Sequence, residues 1–286
     1  MNLTSFAQIA DRYRVFFFDA FGVLKNYRGL IPGIEQTFAW LAENNREFYV
    51  LTNDASRSPD DMAESYYRLG LTAIKPDCIV TSGMLAREYL SLKVPHGTVA
   101  YLGTENSAHY IETAGLQTLS IRQLDLNHLT DVNALVLLDD EGFDWNTDLN
   151  KAINLLRLRN IPVIVANTDT TYPVTKNQVA VAIGGVADMI ERIVGKQFIR
   201  FGKPDAQLFM LAYEQINPVL GIGKRDILMV GDTLRTDILG GNKFGLDTAL
   251  VLTGNTNADE AAVRIQSTGI FPTYVCESAV ITQTPG

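Results

Sequence analysis

Cysteine is nearly absent: the chain has two, Cys78 and Cys276, among 286 residues. That number excludes a disulfide framework and a cysteine-rich zinc site. Both thiols are expected to be buried and inert. Histidine is almost as scarce. His96, His109 and His128 lie apart, without the spacing of a zinc hydrolase, and read as surface or loop residues. Basic residues are in deficit, 24 Lys and Arg against 32 Asp and Glu, for a net charge of −8. Such a balance argues against a nucleic-acid partner, because that affinity comes mostly from cations on phosphates. It leaves room for a small anion at a locally positive site. No apolar run approaches the ~18 residues of a membrane span. Residues 1–5 lack a basic leader region, and the apolar cluster at 15–18 is interrupted by Asp19. The expectation is a soluble cytoplasmic protein that engages neither membrane nor nucleic acid.

What the chain does have is alternation. Hydrophobic residues make up 47% of it, ample for one large domain or two modest ones. Short apolar runs at 15–18, 48–51, 134–138, 163–166 and 227–230 read as buried strands of a parallel sheet. Amphipathic stretches at 34–44, 59–69, 85–92, 149–159 and 205–215 lie between them and read as helices. Strands alternating with helices predict an α/β fold with right-handed crossovers.

Asp19, Thr52 and Asp232 each end an apolar strand or follow one directly. Ligands of open α/β sheets bind outside the carboxyl ends of the strands, so the three can converge on one site. Asp19 suits a nucleophile or a metal ligand, and equally a cap at a strand–loop junction. Gly22 permits a tight turn beside it. Thr52 and Asn53 precede a helix expected near Pro59, with Ser58 as its N-cap. Lys203, in Phe201-Gly202-Lys203-Pro204-Asp205, sits where a cation can balance carboxylates or bind an anion, with Asp205 as the cap of the next helix. Asp232 is followed by Asp237, with a helix expected from about Thr236. Carboxylate oxygens on a strand end suit Mg²⁺.

In this order the four segments resemble the haloacid dehalogenase-like hydrolase superfamily. Leu51-Thr52-Asn53-Asp54-Ala55-Ser56-Arg57, Thr81-Ser82-Gly83, Ala166-Asn167-Thr168-Asp169, Gly202-Lys203-Pro204 and the run 231–238 are similar to its branch of NagD-type sugar phosphatases and 4-nitrophenyl phosphatases. The likeness spans about residues 12–256. It implies a Rossmann-like parallel-sheet core at 1–83 and 200–286, with an inserted α/β cap of C2 type at 84–199, hinged near Gly83 and Arg200. It also implies that Asp19 forms an aspartyl-phosphate, that Thr52 and Asn53 bind the phosphoryl group, and that Lys203 stabilises nucleophile and phosphoryl charge. By the same resemblance Asp19, the Phe21 carbonyl and Asp232 hold Mg²⁺, with Asp237 near its water shell. The implied partner is a small phosphorylated substrate, and a homodimer through the cap is a possible assembly. Asn167, Asp169, Gly184 and Gly185 are the candidates for substrate specificity.

One position departs from the family. Where related phosphatases carry a second Asp, which protonates the leaving group and then activates water, this chain has Phe21. Phenylalanine cannot move a proton, and general acid–base help is worth ~10²–10⁴-fold. Three readings follow: a phosphatase of reduced turnover, a carbon–halogen hydrolase, or a non-catalytic binder of phosphorylated ligands. The retained acids Asp232 and Asp237 weigh against the halogen reading, since such dehalogenases need no metal.

Overall fold

The structure, a computed structural model, describes residues 2–175, 178–216, 218 and 221–281. Its strands in chain order are β1 (Val15–Phe18), β2 (Lys25–Asn26), β3 (Gly29–Leu30), β4 (Glu47–Thr52), β5 (Ile79–Thr81), β6 (Thr98–Leu102), β7 (Gln117–Ser120), β8 (Val132–Leu137), β9 (Val163–Val165), β10 (Thr171–Thr175), β11 (Gln178–Val181), β12 (Ile199–Arg200), β13 (Ile227–Gly231), β14 (Asp247–Val251) and β15 (Tyr274–Cys276). The helices are α1 (Phe6–Ala10), α2 (Ile34–Glu43), α3 (Pro59–Arg68), α4 (Ser82–Lys93), α5 (His109–Glu112), α6 (Asp148–Leu158), α7 (Ile183–Val194), α8 (Ala206–Gln215), α9 (Leu239–Phe244) and α10 (Ala258–Thr268). All five strands and all five helices expected from the sequence are present within a few residues. The α/β expectation holds.

The chain divides into two compact units. The first comprises Met1–Thr52, Met62–Val80 and Lys203–Gly286; the second comprises Asn53–Asp61 and Thr81–Gly202. In the first, a sheet runs in the order β15-β14-β13-β1-β4-β5. Its pairings from β15 to β4 are parallel. Central parallel strands are covered on both faces, so every residue of β1 is buried. Successive side chains alternate. Phe16 and Phe18 enter a cluster with Phe6, Phe38 and Leu228. Phe17 faces the other way and meets Tyr49 edge-on at 6.0 Å. Burying each such ring contributes about 1.5–3 kcal/mol.

The second unit has its own parallel sheet, β12-β9-β8-β6-β7. Leu135, Leu137, Val163 and Val165 of that sheet pack against Leu155 of α6 and Ile183 and Ile190 of α7. Gly83 lies inside α4, where a Cβ would fall 2.5 Å from the Tyr110 ring. The chain passes between the units at 52–53, 61–62, 80–81 and 202–203.

Several local expectations change. Ser58 caps α3 as expected, its Oγ accepting from Asp61 N at 3.1 Å. Asp205 occupies the N-cap of α8 but makes no side-chain capping bond. A single wide π turn, Leu234–Ile238, precedes α9 where a regular helix was expected from Thr236. At this turn Asp237 Oδ2 turns back to accept the Thr233 N–H at 3.0 Å, and the Ile238 N–H donates to the Thr233 carbonyl at 3.3 Å. Cys276 is buried, but Cys78 is only partly so. His109 belongs to α5 and packs edge-on against Tyr110. No helix among the described residues is long and apolar enough to cross a membrane.

Candidate active site

Register places the acids. Phe18 pairs with Val50 of β4 on one side and Val230 of β13 on the other. Asp19 therefore emerges between two strand ends, with Thr52 two residues beyond Val50 and Asp232 two beyond Val230. The Asp19 N–H continues the ladder, donating to the Val230 carbonyl at 2.9 Å. The strand order also reverses here, with β4 and β5 on one side of β1 and β13, β14 and β15 on the other. Such a switch point is where open α/β sheets bind ligands.

Lys203 completes the cluster. Its Nζ lies 2.5 Å from Asp19 Oδ1 and 2.8 Å from Asp237 Oδ1, and donates to the Leu51 carbonyl at 2.9 Å. Lys203 is 2% exposed, and Asp232 and Asp237 are fully buried. Asp19 keeps 14% of its side chain open, so it is the acid a ligand can reach. Thr52 is buried at the end of β4. Phe21 lies half-buried in the turn after Asp19, bridged to Lys25.

The donor set can be tested against a cation. Asp19, Asp232 and Asp237 each offer an oxygen within 4.8 Å of the others. Three carboxylates against one ammonium leave two negative charges in excess in a buried place, which is costly without a counter-charge. Oxygen donors of this kind fit a hard divalent cation such as Mg²⁺.

The titration behaviour reflects the crowding. Burial pushes the Asp19 carboxyl well above its ordinary range; Lys203 pulls it back, and Asp237 and Asp232 add to the rise. Asp232 is pushed up to about 7, by burial first and by the Asp237 charge second. Burial works against the Lys203 ammonium, but Asp19 and Asp237 outweigh it, and its proton is held more tightly than that of a free lysine.

The remaining candidates gather in the second unit. The Asn53 amide donates to Thr168 Oγ1 at 3.1 Å and Asp169 Oδ1 at 3.0 Å. Asn167 Oδ1 accepts from Asp169 N at 2.9 Å. Gly184 and Gly185 open α7 and press on the same loop: a Cβ on Gly184 would sit 2.5 Å from the Asp169 carbonyl oxygen. Asn53, Asn167, Asp169, Gly184 and Gly185 thus form one group, and Asp19, Thr52, Lys203, Asp232 and Asp237 another.

The sequence assigns no role to two further groups of residues, although Thr233 lies within the run 231–238. Thr233, Gly254 and Asn255 surround the Asp232 carboxylate. Their signal is Thr253-Gly254-Asn255 after the apolar run 249–252, another polar strand end. Asp139 and Asp140 lie just beyond β8, where the strand order of the second, parallel sheet reverses, with β7 and β8 on opposite sides of β6. Thr104, beyond β6, donates to Asp139 at 3.4 Å.

Comparison with known proteins identifies relatives of the chain. A family profile described as haloacid dehalogenase-like hydrolase matches residues 16–117, and a second, HAD-hydrolase-like, matches residues 200–279. The chain is similar to a crystal structure from Cytophaga hutchinsonii titled a possible sugar phosphatase of the HAD superfamily. The TM-score is 0.96 and the identity 60%, over 99% of this chain and 100% of that one. It is 30% identical to the dihydroxyacetone phosphatase of Corynebacterium glutamicum, over 91% of this chain and 87% of that protein. It also resembles the glycerol phosphate phosphatase of Mycobacterium tuberculosis, solved in complex with magnesium. There the TM-score is 0.76 and the identity 28%, over 95% of this chain and 77% of the other.

Proposed function

The chain belongs to the haloacid dehalogenase-like hydrolase superfamily, and we propose that within it the protein is a Mg²⁺-dependent phosphatase of small phosphorylated metabolites, of the sugar phosphate class. The observation that carries this reading is the buried Lys203 ammonium between Asp19 and Asp237, beside Asp232. The retained acids favour phosphoryl over halide chemistry.

In this reading an Asp19 carboxylate oxygen attacks phosphorus. The P–O bond to the leaving group breaks, and its electron pair leaves with that oxygen. Water then attacks the phosphorus of the aspartyl-phosphate, the P–O bond to Asp19 breaks, and inorganic phosphate departs. Lys203, held on Asp19 Oδ1, orients the nucleophile and balances the charge that both steps spread over the phosphoryl oxygens. The Thr52 hydroxyl donates to one of those oxygens. Asp19, the Phe21 carbonyl and Asp232, with Asp237 close by, would hold Mg²⁺, which would supply Lewis-acid charge to the phosphoryl group. Phe21 has no proton to give or take, so leaving groups that depart without one are turned over best, and alkyl phosphates slowly.

The first unit is read as the catalytic core and the second as the cap. Asn167, Asp169, Gly184 and Gly185, gathered with Asn53 in one cluster of the second unit, are read as the substrate-specificity residues. A homodimer through the cap would cover Val174, Val179 and Val181, exposed on β10 and β11. The test is a panel of sugar phosphates with 4-nitrophenyl phosphate, assayed with Mg²⁺ or with chelator. The expected result is Mg²⁺-dependent phosphate release, lost in Lys203→Ala. Release that ignores both Mg²⁺ and Lys203 would contradict the assignment.

A further inference from the structure

The Asp232 carboxylate is gripped by a loop that no sequence motif flagged. β14 ends at Val251, and the residues that lead into α10 fold back over Asp232. The Asn255 backbone N–H donates to Asp232 Oδ2 at 2.5 Å. The Asn255 side chain donates from Nδ2 to Thr233 Oγ1 at 2.9 Å. Thr233 Oγ1 in turn donates to Asp232 Oδ1 at 2.9 Å. The loop is anchored on both sides. Thr253 Oγ1 donates to the Gly22 carbonyl at 2.5 Å, and Arg264 of α10 donates to the Asn255 carbonyl at 3.1 Å.

A hydroxyl carries one proton and can accept on its lone pairs. With the Asn255 amide donating to it, the Thr233 hydroxyl is turned so that its proton points at Asp232, and each bond in such a chain polarises the next. Each oxygen of the carboxylate then has one donor and keeps one lone pair for a cation. The Gly254 backbone closes the third side, so near that a Cβ there would lie 1.9 Å from Oδ2.

We propose that Asn255 and Thr233 are positioning residues for the divalent-cation site, fixing the Asp232 carboxylate in the rotation in which it binds metal. The proposal rests on reading Asp19, Asp232 and Asp237 as that site. Partners that orient a metal ligand typically set affinity by 10–100-fold (an order-of-magnitude range). A loop that served only to hold the fold together would change stability and leave cation affinity alone.

The experiment is calorimetric titration of the intact, substrate-free protein with Mg²⁺, repeated with Mn²⁺, alongside urea unfolding. Asn255→Ala removes the amide donor, and Thr233→Val removes the hydroxyl at nearly constant shape. Both are expected to bind the cation ~10–100-fold more weakly, with urea midpoints near wild type. Thr233→Ser keeps the hydroxyl and is expected to retain wild-type affinity. In steady-state assays the same loss would appear as a raised activation constant for Mg²⁺, with KM for the phosphoester unchanged at saturating metal. If either variant unfolds, the contrast between Thr233→Ser and the other variant carries the test. Wild-type affinity in Asn255→Ala and Thr233→Val would overturn the proposal while leaving the cation site standing. A wild type that binds neither cation would overturn both.

Discussion

Gly22 and Gly254 meet backbone to backbone over the carboxylate of Asp232. A Cβ on Gly22 would lie 2.9 Å from Gly254 Cα and 2.1 Å from Asp232 Oδ2. Gly22 also has φ +84°, a left-handed conformation that costs a side chain about 1–2 kcal/mol. Gly22→Ala must therefore displace Asp232 or strain the turn after Asp19. The variant is expected to lose Mg²⁺ affinity and about 1–3 kcal/mol of stability, read by calorimetry and urea unfolding. An unchanged affinity for Mg²⁺ would show that the pinch between the glycines has no bearing on Asp232.

Lys203→Met would leave Asp19 and the buried Asp232 and Asp237 without the neighbouring ammonium. Removing one partner of a buried ion pair costs about 3–5 kcal/mol, and that loss is expected near pH 8 in urea melts. It should shrink as pH falls, because Asp19 and Asp232, both raised by burial, take up protons and shed the repulsion. Phosphate release should drop by about 10²–10³-fold. A variant equally stable at pH 8 and pH 5 would contradict this charge balance.

Asp139, in the second unit, is pushed up to about 6, by burial first and then by Asp140 and Asp54. Its folded form therefore holds a proton more tightly than its unfolded form. The stability it confers is present in acid and is lost as pH rises from about 4 through about 6. Asp139→Asn keeps an acceptor for Thr104 without the charge. It is expected to be more stable than wild type above pH 6 by about 1 kcal/mol, a value discounted for partial exposure. Thermal melts between pH 4 and 8 would show it, and parallel curves for the two proteins would refute it.

Phe21→Asp supplies a carboxyl two residues after Asp19. Turnover of an alkyl phosphate is expected to rise by ~10²-fold, in kcat, because the proton moves in the transition state. Aryl phosphates, whose leaving groups need no proton, should gain little. A folded, Mg²⁺-binding variant with no gain on alkyl phosphates would mean that another group already carries the proton.

The acids were legible because β1 and β13 are buried on both faces and read as unbroken apolar runs, which makes the polar residue at each end conspicuous. β14 was missed because it opens with Asp247 and Thr248; the latter is buried but satisfied by Asn242 and Thr273. With β14 went the loop that grips Asp232. α7 begins Ile183-Gly184-Gly185, weak helix formers that read as a turn. Packing of Ile183, Val186 and Ile190 on the second sheet holds that helix. The partners of the Asn53 amide lie more than a hundred residues away in the chain, at Thr168 and Asp169, and no local pattern reports them.

The central claim is that Asp19 takes the phosphoryl group. It is tested most directly by mixing the protein with 4-nitrophenyl phosphate and Mg²⁺, quenching in acid at early times and mapping the phosphorylated peptide by mass spectrometry. The account predicts a phosphoryl group on Asp19 that forms with Mg²⁺, is absent with chelator, and is absent from Asp19→Asn. Phosphate release at the same rate from Asp19→Asn, or a phosphoryl group on any other residue, would contradict it.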